Sequence, residues 1–91
     1  NIKIMNRLAW LYAKKRIKIE RGIVLIQKVM KANPNKAKYI DTFAELLFAK
    51  GDIVGAVKNI NKAISIDPDN SYYKQQLWKF KNVKPLKPLA R

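Results

Sequence analysis

The chain has 91 residues, 48% of them hydrophobic, and a formal net charge of +14 from 20 Lys and Arg against 6 Asp and Glu. Its length fits one small domain, and its apolar content is that of a globular chain rather than a disordered one. With no cysteine and no histidine, disulfide frameworks, thiolate chemistry and the usual zinc sites are excluded; the uninterrupted apolar runs, Gly22 to Ile26 among them, are far too short to span a bilayer.

The charge raises nucleic acid, an anionic membrane surface or an acidic protein as partners. A biased coding composition, rich in Lys, Ile and Asn, explains it equally well. The chain reads as soluble, with the cytoplasm preferred and no compartment fixed. It begins with Asn1 rather than Met, the expectation being a piece of a longer protein.

The first helix is expected over 2–15, where Met5, Leu8, Ala9 and Tyr12 fall at i, i+3, i+4 and i+7 on one stripe. The KKRIKIER run that follows, Lys14 to Arg21, has no glycine before Gly22, so a longer turn or a less sharp helix end is expected there. A second helix over 20–33 carries Gly22, Ile26 and Val29. Gly22 permits close packing while costing about 1 kcal/mol of helix propensity. Asn33-Pro34-Asn35 makes a turn whose side chains are placed to cap the next helix.

The third helix, 36–50, has Ile40, Phe43, Ala44 and Leu47 on its stripe and ends at Lys50-Gly51-Asp52. Gly51 supplies the left-handed conformation of a C-terminal cap, and Asp52 caps the fourth helix. That helix, 53–66, shows Ile53, Ala56, Val57, Ile60, Ala63 and Ile64, and Pro68 disfavours helical geometry at Asp67. After the turn Asp67 to Asn70, a fifth helix over 71–82 puts Tyr73 and Leu77 in the core. Beyond it, 83–91 contains Pro85 and Pro88 and no helical period, so an extended tail is expected. Leu86 or Leu89 is within reach of Trp78 or Phe80 if that tail folds back.

The spacing Ile40-x2-Phe43-Ala44-x2-Leu47, Ala56-x3-Ile60, Pro68 resembles the tetratricopeptide (TPR) unit, with its pattern W-x2-L-G-x2-Y, A-x3-F, P. Met5-x2-Leu8-Ala9-x2-Tyr12, Gly22-x3-Ile26, Pro34 repeats it. Leu8 and Phe43 are 35 positions apart and Pro34 and Pro68 are 34 apart, so the first unit holds one extra residue. Small residues at Ala44, Ala56 and Ala63 carry the resemblance beyond what any amphipathic hairpin would show. It implies an all-α, right-handed α-solenoid of five antiparallel helices. Repeat one would run over 2–35, repeat two over 36–70 and a capping helix over 71–82, within a domain 1–82. Trp78 stands where a third repeat needs a small residue, so the stack is expected to end there. Two units and a cap fall short of the usual three, which suggests further repeats upstream or pairing of the open end with a second copy.

For function, the sequence points away from an enzyme. It offers no His or Cys base or nucleophile, no glycine-rich phosphate loop and no metal-ligand cluster, hence no cofactor and no metal. Asp41 and Glu45, at i and i+4, are the one carboxylate pair to consider for acid–base work, and surface charge explains them better. The TPR resemblance implies a concave groove lined by the first helix of each repeat and holding a peptide or partner protein. Its expected residues are Asn6, Trp10 and Lys14, then Asp41, Glu45 and Phe48, then Gln75 and Lys79, with Lys3 at the rim. Trp10 and Phe48 would be aromatic anchors beside a local acidic patch. Some TPR domains grip a C-terminal carboxylate with Lys and Asn from successive first helices; Asn6 and Trp10 do not match that start. The alternative is a nucleic acid or other polyanion on Lys14, Lys15, Arg16, Lys18 and Arg21, with a homo-oligomerisation module as a third class.

Overall fold

The computed structural model describes residues 1–86. It is all-α, with five helices in the order α1 (Ile2–Lys15), α2 (Ile19–Ala32), α3 (Ala37–Lys50), α4 (Ile53–Ile66) and α5 (Ser71–Asn82), and no strand among the described residues. Three spans coincide with the sequence expectation; α2 starts and ends one residue earlier than expected, and α3 starts one later. The connections are so short that each helix must return against the one before it. This sets α1, α3 and α5 running the same way. The molecule is 17 Å in its thinnest dimension, about two helices deep.

The centre is α3. A helix on a surface buries one stripe, but here eleven of the fourteen residues from Ala37 to Lys50 are buried, which requires neighbours on nearly every side. It packs against α1, α2 and α4, and its Phe48 ring meets that of Phe80 on α5 at a centroid distance of 4.8 Å. The small residues are where backbones come closest: Ala9, Ala44, Ala56 and Ala63 are fully buried. Gly22 makes room in the same way. A Cβ built on it would come within 2.8 Å of Leu46 Cδ2, a side chain that is itself fully buried.

Two caps follow the expected chemistry. Asp52 Oδ1 accepts from the Gly55 N–H at the start of α4, and Asn70 Oδ1 accepts from the Tyr72 and Tyr73 N–H groups at the start of α5. Gly51 closes α3 at φ 97°, with its N–H on Phe48 O and the Asp52 N–H on Leu47 O, the paired bonds of a Schellman cap.

Other expectations are corrected. The turn after α1, residues 16–18, is one residue longer than that at 51–52, as expected, but the helix end is sharp. Arg16 takes the left-handed position itself, at φ 55°, its N–H on Ala13 O and the Ile17 N–H on Tyr12 O. This is the same cap that Gly51 makes, built at a steric cost of about 1–2 kcal/mol for a residue with a Cβ. Lys18, two residues on, is also left-handed, at φ 49°. No side chain caps α3, where Lys36 stands at the N-cap, so Asn33 and Asn35 do not serve that helix. Leu8, expected on the inner stripe, is exposed; the fully buried Ala9 beside it makes the close contact. The segment after α5 starts extended at Val83. Leu86 lines a small hollow with Arg16, Glu45 and Phe48, and Trp78 stays open to solvent at 63% exposure. Leu89 lies outside the described residues. Among those described, no helix is long and apolar enough to cross a membrane.

Candidate functional site

Because α1, α3 and α5 run the same way, the positions that face neither α2 nor α4 line up across them. The middle of this surface is polar. Asp41 and Glu45 are only 6% exposed each, one turn apart on α3. From α5, Gln76 Nε2 donates to Asp41 Oδ1 and to Glu45 Oε1, both at 3.1 Å. Lys79 Nζ donates to both oxygens of Glu45, at 2.8 and 2.9 Å. From α1, Lys14 Nζ reaches Glu45 Oε1 at 3.2 Å. Residues from three helices thus meet at one carboxylate, and the cost of burying its charge is offset by two ammonium groups and an amide.

The two acids end up in different states. Burial alone would raise the Glu45 pKa, but the Lys79 hydrogen bonds and charge, the Lys14 charge and the Gln76 amide outweigh it and hold the carboxyl below its ordinary value. Among the described residues Asp41 has only the Gln76 bond. Burial pushes its carboxyl up to about 6, the Glu45 charge adds to the rise, and the Gln76 bond with the more distant Lys14 and Lys79 charges limits it. Burial also raises the hydroxyl pKa of Tyr72 and of Tyr73, with the Asp41 charge next in effect for both. Lys14 pays in burial for its place, yet Glu45 and Tyr72 hold its pKa above the usual lysine value.

Beside Asp41 opens a cleft of about 660 Å³. Its α1 wall is Lys3, Ile4, Asn6, Arg7, Trp10 and Leu11; α3 contributes Lys38, Tyr39, Asp41 and Thr42; Asn70, Tyr72 and Tyr73 close the far side. Trp10 is 38% exposed, with Lys14 Nζ 5.4 Å from its ring centroid. Asn6 is 7% exposed, and among the described residues its Oδ1 has no hydrogen-bond partner, an arrangement native interiors seldom leave standing.

Of the eight groove residues read from the sequence, Asn6, Trp10 and Asp41 line this cleft. Lys14, Glu45 and Lys79 form the ion network beside it. Phe48 is not an open anchor: it is buried against Phe80, with Lys79 Nζ 5.4 Å from its ring centroid. Gln75 is exposed, and its neighbour Gln76 holds the carboxylates. Sequence reasoning missed Gln76, Tyr72 and Ile4. The signal for Gln76 was present, since it lies in phase with Tyr73, Leu77 and Phe80, and a polar residue within an apolar stripe needs a buried partner.

The basic run is less free than its sequence suggests. Lys14 is bound to Glu45, Lys18 Nζ sits 5.8 Å from the Tyr12 ring centroid, and Arg16 is half-buried with its Nε unpartnered. Lys15 and Arg21 are exposed. Compared with family models, curated proteins and solved structures, the chain matches none.

Proposed function

We propose that this chain is a non-catalytic protein–protein interaction module that holds a peptide or a segment of a partner protein in the cleft between α1, α3 and α5. The observation that carries this reading is the cleft itself: an aromatic and aliphatic wall (Trp10, Ile4, Leu11, Tyr72) around a few fixed polar groups, the composition of a binding hot spot. The two repeated helix pairs, the small residues at Ala9, Ala44, Ala56 and Ala63, and α5 as an end cap support placing it in a TPR-like right-handed stack, in which such a cleft is the concave face. No step of catalysis is assigned. The ion network gives Glu45 a positioning task, holding α1 and α5 against α3 so that the cleft keeps its shape.

The net charge of +14 favours the second reading, a nucleic acid or another polyanion. Against it stands the fate of the basic run, where Lys14 is paired with Glu45, Lys18 lies over the Tyr12 ring and Arg16 is half-buried, leaving Lys15 and Arg21 open. A test of both readings uses a random peptide library and a single-stranded RNA pool, each against the native chain, Trp10→Ala, and Lys15→Ala with Arg21→Ala. The expected result is capture of peptides that Trp10→Ala weakens by about 2 kcal/mol or more, about thirtyfold. RNA binding should be weak, sequence-blind and steeply reduced by salt. Tight RNA binding lost in the double variant, with no peptide selected, refutes the proposal.

A further inference from the structure

The cleft floor contains an asymmetry that the interaction reading does not explain. The chain has 20 basic side chains. Two of them, Lys14 and Lys79, pair with Glu45; none pairs with Asp41 among the described residues. Yet Asp41 is equally buried and lines the open cleft, where Glu45 does not. Its Oδ1 is held by Gln76, and among the described residues its Oδ2 has no hydrogen-bond partner. A second acceptor stands in the same cleft. The Asn6 amide is more than nine-tenths buried, and its Oδ1 is unpartnered; rotation about χ2 exchanges Oδ1 and Nδ2 with little change of shape, so the oxygen can be turned toward a ligand. A buried carboxylate without a cation and a buried amide oxygen without a donor both lack the same thing, a donor carrying positive charge. The rings of Trp10, Tyr39, Tyr72 and Tyr73 stand around them, and aromatic faces attract cations. Trp10 already does so for Lys14.

Resting on the peptide-binding reading above, we propose that Asp41 and Asn6 form a receptor for one basic side chain, lysine or arginine, of the bound segment. Acidic residues next to it in that segment meet Lys3, Arg7 and Lys38 at the mouth. The three mouth cations are exposed and line the same cleft, so a uniformly basic peptide is repelled. The partner is therefore a segment of mixed charge, a single cation flanked by carboxylates. The raised pKa of Asp41, about 6, agrees with an acid whose counter-charge arrives with the ligand. The groups that face it are Glu45 on its own helix, Lys14 from α1, and Tyr72, Tyr73, Gln76 and Lys79 from α5. Only Asp41 among them changes charge near pH 6 with a pKa raised into that range, so cation binding weakens as pH falls through about 6.

The experiment titrates the ¹⁵N-labelled chain with n-butylammonium and with ethylguanidinium, with butyrate and butanol as controls at matched ionic strength. It follows the Asn6 side-chain amide and the Trp10 indole N–H at pH 7.5 and pH 5. Saturable shifts at pH 7.5 with the two cations, smaller at pH 5, absent with butyrate and abolished in Asp41→Asn, support the receptor. Equal shifts from butanol, or cation binding undiminished in Asp41→Asn with a native-like spectrum, overturn it. Trp10-dependent peptides from a random library form the second arm. Enrichment of Lys or Arg flanked by Asp or Glu supports the receptor. Selected peptides with no basic residue overturn it and leave the peptide reading intact. Cation shifts as expected with no Trp10-dependent peptide overturn the peptide reading and leave the receptor standing.

Discussion

Replacing Asp41 by Asn should stabilise the protein at neutral pH while removing a group from its binding cleft. The magnitude follows from the carboxyl pKa, which rises from 3.8 to about 6 on folding. A shift of about 2 units is about 3 kcal/mol. The sign comes from proton counting. Between pH 3.8 and about 6 the folded chain holds a proton that the unfolded chain has released, so this group makes stability fall as pH rises. Above about 6 the full cost of a buried, unpaired carboxylate is present. Asparagine carries no charge and keeps an oxygen for Gln76 Nε2, so the cost vanishes. Glu45, held below its ordinary value by Lys79 and Lys14, has the opposite dependence: it contributes stability that is lost as pH falls. It is present in both proteins and cancels in the difference. Urea unfolding of the native chain and Asp41→Asn from pH 4 to pH 7.5 provides the assay. The variant should match the native chain near pH 4 and exceed it by about 2–3 kcal/mol at pH 7.5. Parallel curves across that range, or a less stable variant at pH 7.5, would refute the reasoning.

Other substitutions examine the scaffold. Ala44→Leu should cost about 1–3 kcal/mol by overpacking a fully buried site, seen as a lower thermal midpoint by circular dichroism. Lys79→Met removes the ammonium that donates to both Glu45 oxygens; it should cost about 1–3 kcal/mol and raise the Glu45 pKa in a carboxyl NMR titration. Arg16→Gly relieves a left-handed residue at φ 55°. Set against the greater freedom of glycine in the unfolded chain, the gain should be about 0.5–1 kcal/mol in urea midpoints.

The helices were legible because apolar residues at Ile40, Phe43, Ala44 and Leu47, and again at Ala56, Ile60 and Ala63, repeat at helical spacing with Gly51 and Pro68 as punctuation. The small residues told where backbones approach. What stayed hidden depends on the third dimension. Periodicity gave α3 one buried stripe, whereas four neighbours bury nearly all of it, so Phe48 became core rather than an open anchor. Without a glycine, the end of α1 was expected to be less sharp; Arg16 takes the left-handed conformation itself and closes it with the Ala13 and Tyr12 carbonyls. For the candidate site, residue type and spacing, read through the TPR resemblance, pointed to Asn6, Trp10, Lys14, Asp41, Glu45 and Lys79. They could not separate Asp41 from Glu45, because the difference is made by Lys14 and Lys79, which lie 31 and 34 positions from Glu45. Nor could they choose Gln76 over Gln75, a choice of helix face set by the rotation of α5 on α3.

The central claim is that the α1–α3–α5 cleft receives a partner segment. The most direct measurement is an ¹⁵N–¹H correlation spectrum of the chain, titrated with a peptide selected for binding. Shifts should concentrate at the Asn6 side chain, the Trp10 indole and the backbone amides of Arg7, Leu11, Asp41, Tyr72 and Tyr73, and be lost in Trp10→Ala. Shifts confined to the exposed residues of α2 and α4, such as Lys28 and Lys58, with the Trp10 indole unmoved, would contradict it.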